Sequence, residues 1–194
     1  MNKTILFIIA VIVALAQLAA SLSMVFTQED VLANGKTFKF KTRPVDPTDP
    51  FRGAYLSLYF EADQFETDTT INIDSGDKAF VTIALDSAGF AAVKSISKEK
   101  PHAGDYLSVR VRYANKRTNE NTKIIHFEYP FDQYYIEESK AKRVEEDYDR
   151  ANAGQENQLA YAIIKIKDGN SAIQDLIING KSATDIMKEF NRGK

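Results

Sequence analysis

The sequence predicts an α+β, β-rich protein. It should carry an N-terminal transmembrane helix, then an antiparallel sandwich or partly open barrel of two pseudo-repeated β units, with one charged helix and a short C-terminal helix. Three observations carry this reading. Ile5 to Phe26 is one uncharged apolar run. Beyond it the apolar residues alternate with polar ones over short stretches, broken by Asp-Gly, Asn-Gly and Pro/Gly signals, which is the period of strands and turns. Pro50-x-x-Gly53-x-Tyr55-Leu56-Ser57 recurs as Pro101-x-x-Gly104-x-Tyr106-Leu107-Ser108 at the same spacing, so the β units fall at about 43–96 and 97–180.

The apolar run of about 22 residues would measure about 33 Å as a helix, enough to cross a bilayer core. Only Gln17, Ser21 and Ser23 interrupt it. Lys3 precedes it, and Glu29 and Asp30 follow, so the positive-inside bias puts residues 1–4 in the cytoplasm, the span at 5–26 and the remainder outside. A cleaved signal peptide is the competing reading, but its apolar core runs about 7–15 residues and this run is longer. A buried core helix would need a polar outer face, and the run has none. Residues 27–36 form a short polar lead-out to a domain spanning 37–194.

Within that domain Phe38–Thr42 reads as a strand. Residues 43–54 form a loop stiffened by Pro44, Pro47 and Pro50, and Leu56–Phe60 is a second strand. Asp63–Asp77 is polar and reads as a loop. Phe80–Leu85 and Phe90–Ile96 make a hairpin around Asp86-Ser87-Ala88-Gly89. Leu107–Tyr113 places Leu107, Val109, Val111 and Tyr113 on one face; with Lys123–Tyr129 it forms a second hairpin across a turn at 115–121. Ile136–Ala151 is a charge-rich helix with Val144, Tyr148 and Ala151 on its inner side. Leu159–Lys167 and Ser171–Ile178 close a third hairpin at Asp168-Gly169. Asn179-Gly180 ends that strand, and Ser182 caps a last helix with Ile186, Met187 and Phe190 facing inward.

Composition narrows the function. The chain is 44% hydrophobic and 27% charged with a net charge of −2. No basic run offers the concentrated positive surface that nucleic acid needs, so nucleic acid is not an expected partner. Without cysteine, disulfides and thiolate sites are excluded, and with only His102 and His126 a multi-histidine metal site is not expected. No Gly-x-Ser-x-Gly, phosphate loop or dinucleotide fingerprint is present, and no cofactor is expected.

From Pro44-Val45-Asp46-Pro47 through Gly53-Ala54-Tyr55-Leu56-Ser57-Leu58-Tyr59-Phe60 the chain resembles the GDYXXLXY family of bacterial membrane-anchored proteins. The motif departs twice, with Ala54 for Asp and Phe60 for the last Tyr. The segment Phe127-Glu128…Tyr134-Tyr135-Ile136-Glu137-Glu138 and the ending Ile173…Leu176…Asn179-Gly180 are similar to the same family, so the resemblance covers roughly residues 5–181. It implies a bacterial inner-membrane protein with a non-cytoplasmic domain, and it implies no particular activity. Ala54 removes a carboxylate that any chemistry at that position would need.

The ligand- or partner-binding candidates are Asp46, Asp49, Arg52 and Tyr55, crowded at the proline turn, with Asp105 and Tyr106 at the second turn and Glu138 at the charged helix. Asp46 and Asp49 can equally accept bonds from turn amides while Arg52 pairs with one of them. A calcium loop needs six or more oxygens, more than this turn offers. The aromatic group Tyr129, Phe131, Tyr134 and Tyr135 reads as core packing or as an interaction patch. The expectation is a non-enzymatic binding or accessory module, held in the bilayer through residues 5–26, for another envelope or membrane protein. The alternative is a carboxylate-based hydrolase, or a small-ligand or metal-binding domain.

Overall fold

The computed structural model describes residues 3–43, 55–116, 121–136 and 159–192, together with Val144, Asp147, Tyr148, Arg150 and Ala151. Helix α1 runs from Lys3 to Asn34. It is long and apolar enough to cross a membrane, and none of its apolar stretch is buried in the protein. The hydroxyls within and just beyond that stretch are satisfied inside the helix: Ser21 Oγ donates to Gln17 O at 3.1 Å, Ser23 Oγ to Ala20 O at 2.8 Å and Thr27 Oγ1 to Ser23 O at 2.8 Å.

The polar lead-out is not a free linker. No proline or glycine interrupts Thr27–Asn34, so the helix continues through it and stops where Gly35 N donates to Val31 O at 2.8 Å. Val31 is buried, and Lys167 Nζ bonds both oxygens of Asp30 at 2.6 and 2.8 Å. Those contacts seat the helix end on the sheet carrying Lys167, and the Lys167 and Asn34 bonds hold the Asp30 carboxyl below its ordinary range.

Eleven strands follow among the described residues: β1 (Lys36–Lys41), β2 (Tyr55–Ser57), β3 (Gln64–Asp68), β4 (Lys78–Leu85), β5 (Ala91–Ser97), β6 (Tyr106–Lys116), β7 (Thr122–Glu128), β8 (Gln133–Tyr135), β9 (Ala160–Lys167), β10 (Asn170–Ile178) and β11 (Lys181–Ser182). Helix α2 (Ala183–Arg192) ends the chain, with Thr184 N bonded to Ser182 Oγ at 3.1 Å as the cap predicts. The strands form three antiparallel sheets, ordered β1-β9-β10-β11, β2-β8 and β3-β7-β6-β4-β5. The five-stranded sheet curls until its edges β3 and β5 approach one another, nearly closing a barrel. One continuous core fills the space between sheets, from Phe38 and Phe40 of β1 through Val81, Leu107, Ile125 and Ile164 to Leu176.

The three predicted hairpins are present, β4–β5, β6–β7 and β9–β10. Asp168 and Gly169 both have positive φ, 51° and 85°, which gives the two-residue turn the twist its strands require. Asn179-Gly180 does more than end a strand, because Ile178 pairs with Lys181 across it to make a fourth hairpin.

Several expectations are corrected. Asp63–Asp77 is not all loop: β3 runs from Gln64 to Asp68 as an edge strand that pairs with β7 alone, so only Phe65 has to face the core and the rest can stay polar. The strand expected at Leu56–Phe60 is regular only over β2, after which Phe60 bridges Thr42. Leu107–Tyr113 does not keep one face. Arg112 is an extra residue between Val111, opposite Phe127, and Tyr113, opposite His126, so Tyr113 turns outward and stacks on His126 at 4.4 Å. The two Pro-x-x-Gly-x-Tyr strands have unlike surroundings, since Tyr55 starts a three-residue strand paired with β8 and Tyr106 starts the long central β6.

The proline turn at residues 44–54 lies outside the described residues, as does most of the charged helix. Val144, Tyr148 and Ala151 are helical and buried, in line with their spacing. Lys123 points into the core side of β7, where its ammonium donates to Ile73 O at 3.0 Å.

Candidate functional site

The signature strand builds one wall of a cleft. Along Tyr55–Phe60 the residues alternate in a period of two: Leu56, Leu58 and Phe60 are buried in the core, while Tyr55, Ser57 and Tyr59 line a cavity of about 150 Å³. The signature leucine and its final aromatic are therefore packing residues, and the signature tyrosine faces the cleft. Leu58 N donates to Asp132 O at 2.7 Å, which ties the signature strand to the loop before β8.

The opposite wall comes from β6 and β7, and it carries the charge. The bulge at Arg112 brings its guanidinium to the cleft, where it pairs with Glu128. Asp63, just before β3, pairs with Arg43 at 2.7 Å and is 14% exposed at its side chain. Asp132 also lines the cleft and is exposed. Removal of water around the Asp63 carboxyl raises its pKa, and Arg43, His126 and Arg112 only partly offset that. The Asp132 carboxyl is also raised, first by desolvation and further by the Glu128 charge, against Arg112. Tyr129 forms the floor; its hydroxyl donates to Ala62 O, and burial pushes its pKa strongly upward.

Beneath the cleft lies an aromatic cluster. Phe40 meets Tyr129 at 5.3 Å, Phe131 at 5.2 Å and Phe60 at 5.8 Å between ring centres, and Tyr129 stacks on Phe131 at 4.9 Å. Tyr129 and Phe131 are thus core residues, Tyr134 is half-buried, and Tyr135 is exposed beside Tyr55 at 6.0 Å.

Of the three singled-out residues that are described, Tyr55 lines this cleft. Asp105 lies elsewhere, paired with Lys36 at 2.6 Å. Tyr106 is buried against Phe80 at 6.1 Å. Asp46, Asp49, Arg52 and Glu138 lie outside the described residues. The sequence reading missed Asp63, Arg112, Glu128 and Asp132. They are scattered along the chain, and the bulge that delivers Arg112 leaves no mark in the residue pattern. Among the described residues no group of three or more His, Asp or Glu is arranged to hold a metal ion.

The raised carboxyls make a prediction. A carboxyl raised by folding binds its proton more tightly in the folded chain, so folding gains stability as pH falls through the folded value toward the ordinary 3.8. Asp63→Asn/Asp132→Asn should therefore be more stable than the wild type at pH 7, and this advantage should shrink as urea midpoints are repeated down to about pH 4. An advantage that does not change with pH would show that these carboxyls are not desolvated.

No curated protein and no solved structure matches the chain. The sequence model of the GDYXXLXY protein family matches residues 17–176, which takes in the end of the apolar helix, the signature strand, both walls of the cleft and the strands as far as Leu176. The chain belongs to the GDYXXLXY protein family.

Proposed function

We propose that this protein is a single-pass, membrane-tethered binding module of a bacterial inner membrane, with its N-terminus in the cytoplasm and its β domain outside. Its cleft takes a basic side chain of another envelope or membrane protein. The observation that carries the reading is the cleft itself, where the Asp63 carboxyl, 14% exposed, and the more open Asp132 carboxyl stand beside the signature strand. Among the described residues around the cleft, Asp63, Glu128 and Asp132 stand against Arg43 and Arg112, leaving one negative charge in excess. The tyrosines add aromatic faces, and a cation beside carboxylates and rings is held by both. The proximity of the anchor favours a partner in or at the same membrane.

A photocrosslinker placed at Gln133, on the rim, tests this in the full chain in membranes. One discrete adduct is expected, falling at least about tenfold in Asp63→Asn/Asp132→Asn, since truncating one side of a buried charge contact costs at least that much. No adduct, or an adduct indifferent to the carboxyls, would sink the reading. The same two raised carboxyls support a second reading, a carboxylate hydrolase in which one of them holds the catalytic proton. Turnover of glycoside or ester substrates by the wild type, lost in Asp132→Asn, would favour that reading over binding.

A further inference from the structure

We infer that a second site, a groove beside the anchor helix, holds the headgroup of an anionic phospholipid. Two cavities of about 450 and 420 Å³ share Ser108 and Pro130, so they form one continuous groove. One end is lined by Ser23, Thr27 and Gln28, at the point where the apolar stretch of α1 gives way to polar residues. The other end holds Lys78 and Arg110. These two cations are direct cross-strand partners in β4 and β6, on the face of the sheet away from the core. Like charges placed opposite one another in a ladder repel. Neither makes an ion pair among the described residues: Lys78 lies over the Phe80 ring, at 5.7 Å, and Arg110 stands opposite Glu128 in the β6–β7 ladder without bonding it. The one carboxylate lining the groove, Glu128, is already engaged by Arg112.

An anion between Lys78 and Arg110 would turn this repulsion into attraction. The groove leads there from the surface level of the bilayer, past the Ser108 hydroxyl, which suits a phosphate carried on a lipid. The bilayer therefore supplies the ligand, and the inference rests on the anchoring reading above but not on the cleft. Anionic leaflets attract basic side chains, and two such contacts correspond to about a 30-fold preference over a zwitterionic headgroup.

The test uses the full chain in mixed micelles, titrated with short-chain phosphatidylglycerol or phosphatidylcholine, with retained lipid read by native mass spectrometry and the melting temperature followed in parallel. Phosphatidylglycerol is expected to be retained preferentially and to raise the melting temperature. Lys78→Gln/Arg110→Gln should lose that preference about 30-fold. The double variant should fold normally, since both side chains are exposed, and Lys94→Gln, a surface cation outside the groove, should behave as wild type. Equal retention of the two lipids by the wild type, undiminished phosphatidylglycerol binding in the double variant, or equal stabilisation by inorganic phosphate alone would each overturn the proposal. Alkaline carbonate extraction of native membranes separates the two readings. A chain released by carbonate defeats the anchoring, whereas a chain retained in the membrane but indifferent to phosphatidylglycerol defeats only the headgroup site.

Discussion

Phe40→Ala is expected to remove about 3–5 kcal/mol of folding stability, the largest loss from any single truncation proposed here. Phe40 is fully buried, and its ring is the common neighbour of Phe60, Tyr129 and Phe131. These three come from the end of the signature segment and from the stretch between β7 and β8, so Phe40 joins the four-stranded sheet to the signature strand and to the cleft floor. Removing it leaves a cavity under the cleft floor that rigid neighbouring rings cannot collapse to fill. Domains commonly have about 5–15 kcal/mol in total, so the loss is a large share. Urea denaturation of the full chain in detergent measures it. Phe40→Leu, which keeps most of the volume, should cost much less. A loss below about 1.5 kcal/mol for Phe40→Ala would mean that the cluster repacks freely.

Gly169→Ala is expected to cost about 2–5 kcal/mol, from two causes that can be separated. Its φ of 85° strains any L side chain, and a β-carbon there would sit 2.5 Å from the ring of Tyr106. The ring cannot retreat easily, being buried against Phe80 and covered by Lys100, whose ammonium lies 5.5 Å from its centre. Gly89 supplies the control: its φ is 80°, yet a β-carbon there would meet nothing within 4 Å. Gly89→Ala should therefore show the backbone strain alone, about 1–2 kcal/mol. Equal costs at the two positions would show that Tyr106 does not press on the turn.

Those turns were also the most legible part of the sequence. Asp168-Gly169 and Asp86-to-Gly89 announce reversals through local backbone chemistry, and the alternation on either side sets the hairpins. The apolar helix is legible for the same reason, because its signal is contained in its own residues. What escaped detection depends on distant partners. β3 is polar because it is an edge strand, and edge status is decided by which strands fail to pair with it. The reversal of facing at Tyr113 follows from one extra residue, Arg112, which looks like an ordinary member of an alternating run. The cleft shows both cases together. Tyr55, Ser57 and Tyr59 could be read as one face of a strand, whereas Asp63, Arg112, Glu128 and Asp132 meet only because β3, β6 and β7 lie side by side.

Helix α1 passes without a break from the apolar stretch into the contacts of Asp30 and Val31 with the β domain. Mechanically, the domain is a head fixed on a mast. From Thr27 to Asn34 the mast rises about 12 Å. The helix is unbroken, so, with the anchoring proposed above, tilting or rotating it within a bilayer would turn the head with it. The cleft would then sweep a thin shell at fixed height above the lipid, and a partner would have to arrive laterally, at that height. A torque applied to the head would, with that anchoring, pass in the reverse direction down the same helix.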